Sequence, residues 1–122
     1  MSYKIAKYTD IIYLQSQLLT TSNKSYMTLA QRQAIELICR YSAQLAQTAK
    51  KLTDDPEQQA LVRHDMINIL TPIVGYVEML SDGWIGSLNP DQASHVEIIQ
   101  QSVDALRECI LTYRTQQWNA SA

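Results

Sequence analysis

Residues 1 to 55 contain neither glycine nor proline, the two residues that most reliably interrupt regular structure. The whole chain of 122 residues has 3 of each: Pro56, Pro72 and Pro90, and Gly75, Gly83 and Gly86. A chain with so few corners cannot supply the many tight turns of a β-sandwich or barrel, and its composition is not that of a collagen-like or disordered segment. What remains is an all-α fold of a few long helices. A hydrophobic content of 46% in a chain of this length is enough to bury a core without disulfides or metal.

Apolar spacing and start and stop residues divide the chain into four helices. The first spans about Tyr3 to Leu19, with Ile5, Tyr8, Ile11, Ile12, Leu18 and Leu19 inward, and gives way to the polar stretch Thr20 to Ser25. The second starts at Thr28, whose pairing with Gln31 has the pattern of a capping box. Its seam runs through Ala34, Ile38, Tyr41, Leu45, Thr48 and Leu52, widened by Leu37 and Ala49, and Lys50 and Lys51 suit the negative end of its dipole. The third opens at Asp55-Pro56, with Gln58 placed to complete a second box, and runs to about Ser81. Asp82 to Asn89 (DGWIGSLN) forms a hairpin loop, with Trp84 and Ile85 expected to cover the end of the bundle. Asn89-Pro90-Asp91-Gln92 repeats the start signal, and Val96, Ile99, Val103, Leu106, Ile110 and Tyr113 continue as a bundle seam.

A net charge of -2 and a pI near 5.6 argue against a nucleic-acid or anionic-membrane surface. No apolar run approaches the ~18 residues of a membrane span, and Met1 to Asp10 is not a signal peptide. Cys39 and Cys109 lack metal-type spacing and read as two buried thiols in a reducing compartment, so a cytoplasmic protein is expected.

On the third helix, one stripe is Val62, Met66, Ile69, Ile73, Tyr76 and Leu80, and a second is Ile67, Leu70, Val74 and Val77. Together they cover about half the circumference, more than one partner helix would bury. The opposite face carries His64, Asn68, Thr71, Gly75, Glu78 and Asp82, with Asp65 beside it. Histidine offers a nitrogen nucleophile near neutral pH, and an asparagine amide one turn away can both donate to and accept from water. His95 points off the fourth-helix seam and reads as a solvent-facing structural residue. Gly75 is open to two readings, a place for close backbone approach or a weak point in the helix.

The string RHDMINILTPIVGYVEML from Arg63 to Leu80 resembles the phosphoacceptor segment of bacterial sensor histidine kinases, in their dimerisation and histidine-phosphotransfer domain. That family's pattern is His, an acid, two variable residues, Asn or Thr, then Leu-Thr, Gly-Tyr and Glu-Leu-Leu. GSLNPDQ from Gly86 to Gln92, with Val96 to Ile99 and Ser102 to Leu106, resembles its hairpin and second helix. The likeness covers about Glu57 to Tyr113. Many members have proline five residues after the histidine, where this chain has Ile69; its Pro72 falls eight after, beside the site. Nothing in the chain resembles the family's ATP-binding domain, a P-loop or a GxGxxG.

The resemblance implies that His64 accepts the phosphoryl group, that Asp65 orients the imidazole and takes its proton, and that Asn68 positions water for hydrolysis of a receiver's phospho-aspartate. Thr71, Gly75 and Glu78 would then face the partner. It implies a histidine-phosphotransfer hairpin over 55–118; the helical N-terminal region over 1–54 lies outside the likeness and is read from apolar spacing alone. Two copies of the hairpin would pair into a homodimeric four-helix bundle; the competing architecture is a monomeric bundle in which helix two replaces the second copy. The expected function is phosphorelay in a two-component system, as a stand-alone phosphotransfer domain rather than a complete ATP-dependent kinase. The partners would be a response-regulator receiver domain or a separate kinase catalytic domain, with no nucleic acid and no membrane. No cofactor is expected on this chain, and Mg²⁺ would belong to the receiver. The alternative is a non-catalytic docking or regulatory module of the same fold. The start at Met1 and the polar tail Thr115 to Ala122 favour a complete protein over a fragment of a larger kinase.

Overall fold

The computed structural model describes residues 3–22 and 27–121, with side chains over 3–21 and 27–113. Four helices follow one another: α1 (Tyr3–Ser22), α2 (Leu29–Ala49), α3 (Pro56–Ser81) and α4 (Pro90–Ser121). There is no strand among the described residues. Each helix packs on its chain neighbours, and α1 also packs on α4, so the four close a ring with α1 and α3 on one diagonal and α2 and α4 on the other. Short connections make this an up-down-up-down four-helix bundle within one chain.

That closure bears on the apolar face of α3. The apolar face of α3 is too wide for one neighbour, and the chain supplies two, α2 and α4. Val62, Met66, Leu70, Ile73, Val77 and Leu80 are all buried within the single chain. Within one chain, α2 and α4 thus flank α3 on both sides.

The α4 seam is as its spacing requires, with all of Val96, Ile99, Val103, Leu106, Ile110 and Tyr113 in the core. The α1 seam differs from its sequence reading. Its core line is Ile5, Thr9, Ile12, Ser16 and Leu19, with Tyr8, Ile11 and Leu18 only half-buried at the flanks. A hydroxyl is tolerated in this core because it returns to its own helix: Thr9 Oγ1 donates to the Ala6 carbonyl and Ser16 Oγ to that of Tyr13, both at 2.8 Å. Ser42 does the same on α2, donating to the Cys39 carbonyl at 2.8 Å. Ser42 thereby joins the α2 core, to which Ile35 also belongs, while Tyr41, Thr48 and Leu52 stay half-buried. On α3, Leu70 rather than Ile69 is fully buried. Helix α1 also outlasts Leu19, because the hydroxyls of Thr20 and Thr21 bond the Gln17 carbonyl and hold the last turn. Residues 23–26, in the expected polar stretch, lie outside the described residues. Lys50 is the C-cap of α2 rather than part of its last turn. Both cysteines are free and half-buried, not fully buried as their isolation suggested.

Two of the three expected capping boxes form. Thr28 and Gln31 bond reciprocally at the start of α2, at 2.8 and 3.0 Å, as do Asn89 and Gln92 at the start of α4, at 2.9 and 2.8 Å. The box at α3 does not: Asp55 makes no side-chain cap bond. Gln58 is exposed there, and the buried Gln59 one position on turns its amide to the Thr53 carbonyl.

The α2 box has a second duty. Thr28 Oγ1 donates to the Ile85 carbonyl at 2.7 Å, and Gln31 Nε2 to that of Ser87 at 3.0 Å. Gly86 lies between these two carbonyls with φ +135°, a left-handed region that side chains rarely adopt. The hairpin loop of α3 and α4 is thus bolted to the start of α2. Ile85 packs against the core, but Trp84 is 82% exposed and does not cover the bundle end.

Candidate functional site

The winding of α3, about 100° per residue, turns one face away from α2 and α4. His64, Asp65, Asn68, Thr71 and Glu78 are all exposed there, and Gly75 is half-buried. These are the residues that the sequence assigned to the site. They share a surface, but they are not wired together: no hydrogen bond or ion pair joins His64 to Asp65 or Asn68 among the described residues. Successive helical side chains diverge by about 100°, and the short carboxylate arm of Asp65 does not span that gap. Asp65 therefore does not hold the imidazole in this state.

His64 lies instead beside a shallow cleft of about 360 Å³ between α3 and α4, lined by Ala60, Arg63, His64, Ile67 and Leu111. The far wall, Leu111, comes from α4, and sequence reasoning missed it because it depends on the antiparallel register of the two helices. Leu61 and Leu111 are apolar yet exposed, at 60% and 49%, so the histidine sits among uncovered apolar side chains.

Further along the strip, Thr71 Oγ1 donates to the Ile67 carbonyl at 2.8 Å, which leaves only its lone pairs for a partner. Pro72 lies inside α3 without ending it. Having no N–H, it cannot serve the Asn68 carbonyl. Asn68 thus offers a side-chain amide and a backbone acceptor deprived of its usual donor. At Gly75 an added Cβ would meet nothing within 4 Å, so no contact in the chain requires glycine there.

His95 has the structural role its position suggested, but it is not solvent-facing. Its side chain is 21% exposed, its Nδ1 bonds Gln15 Oε1 across the α1–α4 boundary, and its Nε2 lies 3.8 Å from Asp91. It is a structural link between helices, remote from His64 in sequence and on another helix. Among the described residues no group of three His, Cys, Asp or Glu is placed to hold a metal ion, and no helix is long and apolar enough to cross a membrane.

A family model described as the His Kinase A (phospho-acceptor) domain matches residues 56–118, from the first residue of α3 to near the end of α4. No curated protein and no solved structure matches the chain.

Proposed function

The chain belongs to the His Kinase A (phospho-acceptor) domain family, which places it in two-component signalling, and from that membership we propose that it relays a phosphoryl group through His64. The observation that supports this most is the position of His64: exposed, on the outer face of the matched hairpin, and open to a cleft. In transfer to a response-regulator receiver domain, the P–N bond of phosphohistidine breaks, a P–O bond forms on the receiver aspartate, and the imidazole recovers a proton. Mg²⁺ held by the receiver would offset the charge gathering on the phosphoryl oxygens. The 122 residues contain no nucleotide-binding motif, so a kinase catalytic domain outside them would supply phosphate from ATP.

Asp65 would act on the proton once a partner closes over the site, since it makes no bond to His64 beforehand. Asn68 suits a phosphatase step, in which its amide orients water towards the receiver's acyl phosphate. The phosphotransfer unit in this reading is the single-chain bundle, because α2 and α1 cover the faces of α3 and α4 that a second copy would need.

The test is incubation with phosphorylated receivers and with kinase catalytic domains. Acid-labile label on the wild-type chain and none on His64→Ala is expected. An unlabelled wild type with every donor would replace relay by the docking-module reading.

Gly75 gives a second readout. A mid-helix glycine costs about 1 kcal/mol against alanine, and no contact within the chain explains it. Gly75→Ala should therefore raise the melting temperature by about 4 °C. If a receiver's backbone approaches this point, the same change slows transfer about fivefold or more, an expectation for a methyl-sized clash of about 1 kcal/mol. Transfer at the wild-type rate would remove Gly75 from the partner face.

A further inference from the structure

Positive charge on the hairpin is confined to one end. From Pro56 onward the only lysine or arginine residues are Arg63, Arg107 and Arg114, against 8 Asp and Glu. The first of these, half-buried, lines the same cleft as His64. Arg107 is exposed one helical turn from Leu111, the opposite wall, and because α4 runs antiparallel that step leads towards the level of Asn68. The remaining lining is Ala60, Ile67 and Leu111, which compete with no ligand for hydrogen bonds and exclude water from one side.

A phosphoryl group on His64 brings about two negative charges and three strong acceptor oxygens to this place. Arginine suits it because its planar fork can bond two of those oxygens at once. We propose that Arg63 binds the phosphoryl group carried by His64, with Arg107 as an outer, weaker cation, so that the cleft is a binding site for the phosphohistidine form. This rests on His64 being the phosphoacceptor. The clamp favours the dianionic phosphoryl group and holds it against the apolar wall of α4, where its oxygens are less open to water. Its partner surface is therefore a charged guanidinium as well as an imidazole.

Phosphoramidate tests this on the full chain without any protein donor. A ring nitrogen of His64 attacks phosphorus, the P–N bond to ammonia breaks, and ammonia leaves with the proton that the imidazole gives up. Phosphorus NMR then follows the second ionisation of the phosphoryl group against pH. An opposite charge nearby favours the dianion, so losing it moves the midpoint upward. Arg63→Gln should raise the midpoint by about half a pH unit and Arg107→Gln by less, as expected for partly exposed pairs. Arg63→Lys, which keeps the charge, should stay near the wild-type midpoint. Concentrated salt should raise the wild-type midpoint by more than that of Arg63→Gln, which keeps only the weaker Arg107.

A folded Arg63→Gln protein that titrates like the wild type overturns the clamp while leaving the phosphoacceptor intact. Should that variant not fold, a wild-type midpoint indifferent to salt overturns it equally. A wild type unlabelled at His64 overturns the phosphoacceptor reading, and the clamp with it.

Discussion

Ile38→Asp will abolish the cooperative unfolding transition of the whole chain, although Ile38 lies on α2, outside the segment that matches the phosphoacceptor family. Ile38 is fully buried in the bundle core, where an aspartate would have no hydrogen-bonding partner. The substitution removes the packing of a large aliphatic side chain, worth about 2–5 kcal/mol, and places a carboxyl group where desolvation costs several kcal/mol more. Domains of this size are stable by about 5–15 kcal/mol, so the sum exhausts most or all of that margin. Circular dichroism should show loss of most helical signal, and phosphoramidate labelling of His64 should lose its native pH titration. Arg40→Asp, on the exposed side of the same helix, should leave the bundle folded. If α3 and α4 instead formed their own core with a second copy, Ile38→Asp would melt α1 and α2 and spare the hairpin. About half the ellipticity and a native hairpin would then survive, and the single-chain bundle would be wrong.

The second large effect belongs to Gly86. A Cβ there would lie 2.8 Å from Gln31 Nε2 and 2.9 Å from Thr28 Cγ2, closer than van der Waals contact allows. Its φ of +135° adds backbone strain for any other residue. Relief would require Thr28 and Gln31 to withdraw, with loss of their bonds to the Ile85 and Ser87 carbonyls. Strain and lost bonds together come to about 2–4 kcal/mol, so Gly86→Ala should lower the melting temperature by about 8–15 °C. The companion change Gly83→Ala should cost less, since its nearest neighbour is 3.9 Å away and only its φ of +75° is unfavourable. Equal losses at the two glycines would show that the bolt between loop and α2 contributes nothing.

Much of this architecture was legible because the α4 seam from Val96 to Tyr113 recurs in apolar residues at helical spacing, with Ser102 buried beside it. On α1 and α2 the seam passes through Thr9, Ser16 and Ser42, and a hydroxyl that bonds its own backbone carries no trace of that in the sequence. Capping was legible where the glutamine falls on the buried side, at Gln31 and Gln92, and misleading at Gln58, where Gln59 is the inward residue. The polar strip from His64 to Glu78 needed only helical geometry, since one helix carries it. The cleft needed Leu111 to be placed against Ile67, which no local pattern in α3 or α4 specifies. Trp84 shows the opposite limit: a large apolar residue in a hairpin suggests burial, yet the turn points it outward at 82% exposure.

A bundle completed by its own first two helices has a consequence for how it behaves when scarce. A core shared between two copies weakens on dilution, because its halves must find each other. Here α1 and α2 are tethered to α3 and α4 by a short connection, which sets an effective concentration about millimolar whatever the amount of protein present. A handful of molecules would hold their fold as firmly as a concentrated stock, each bundle carrying its own His64.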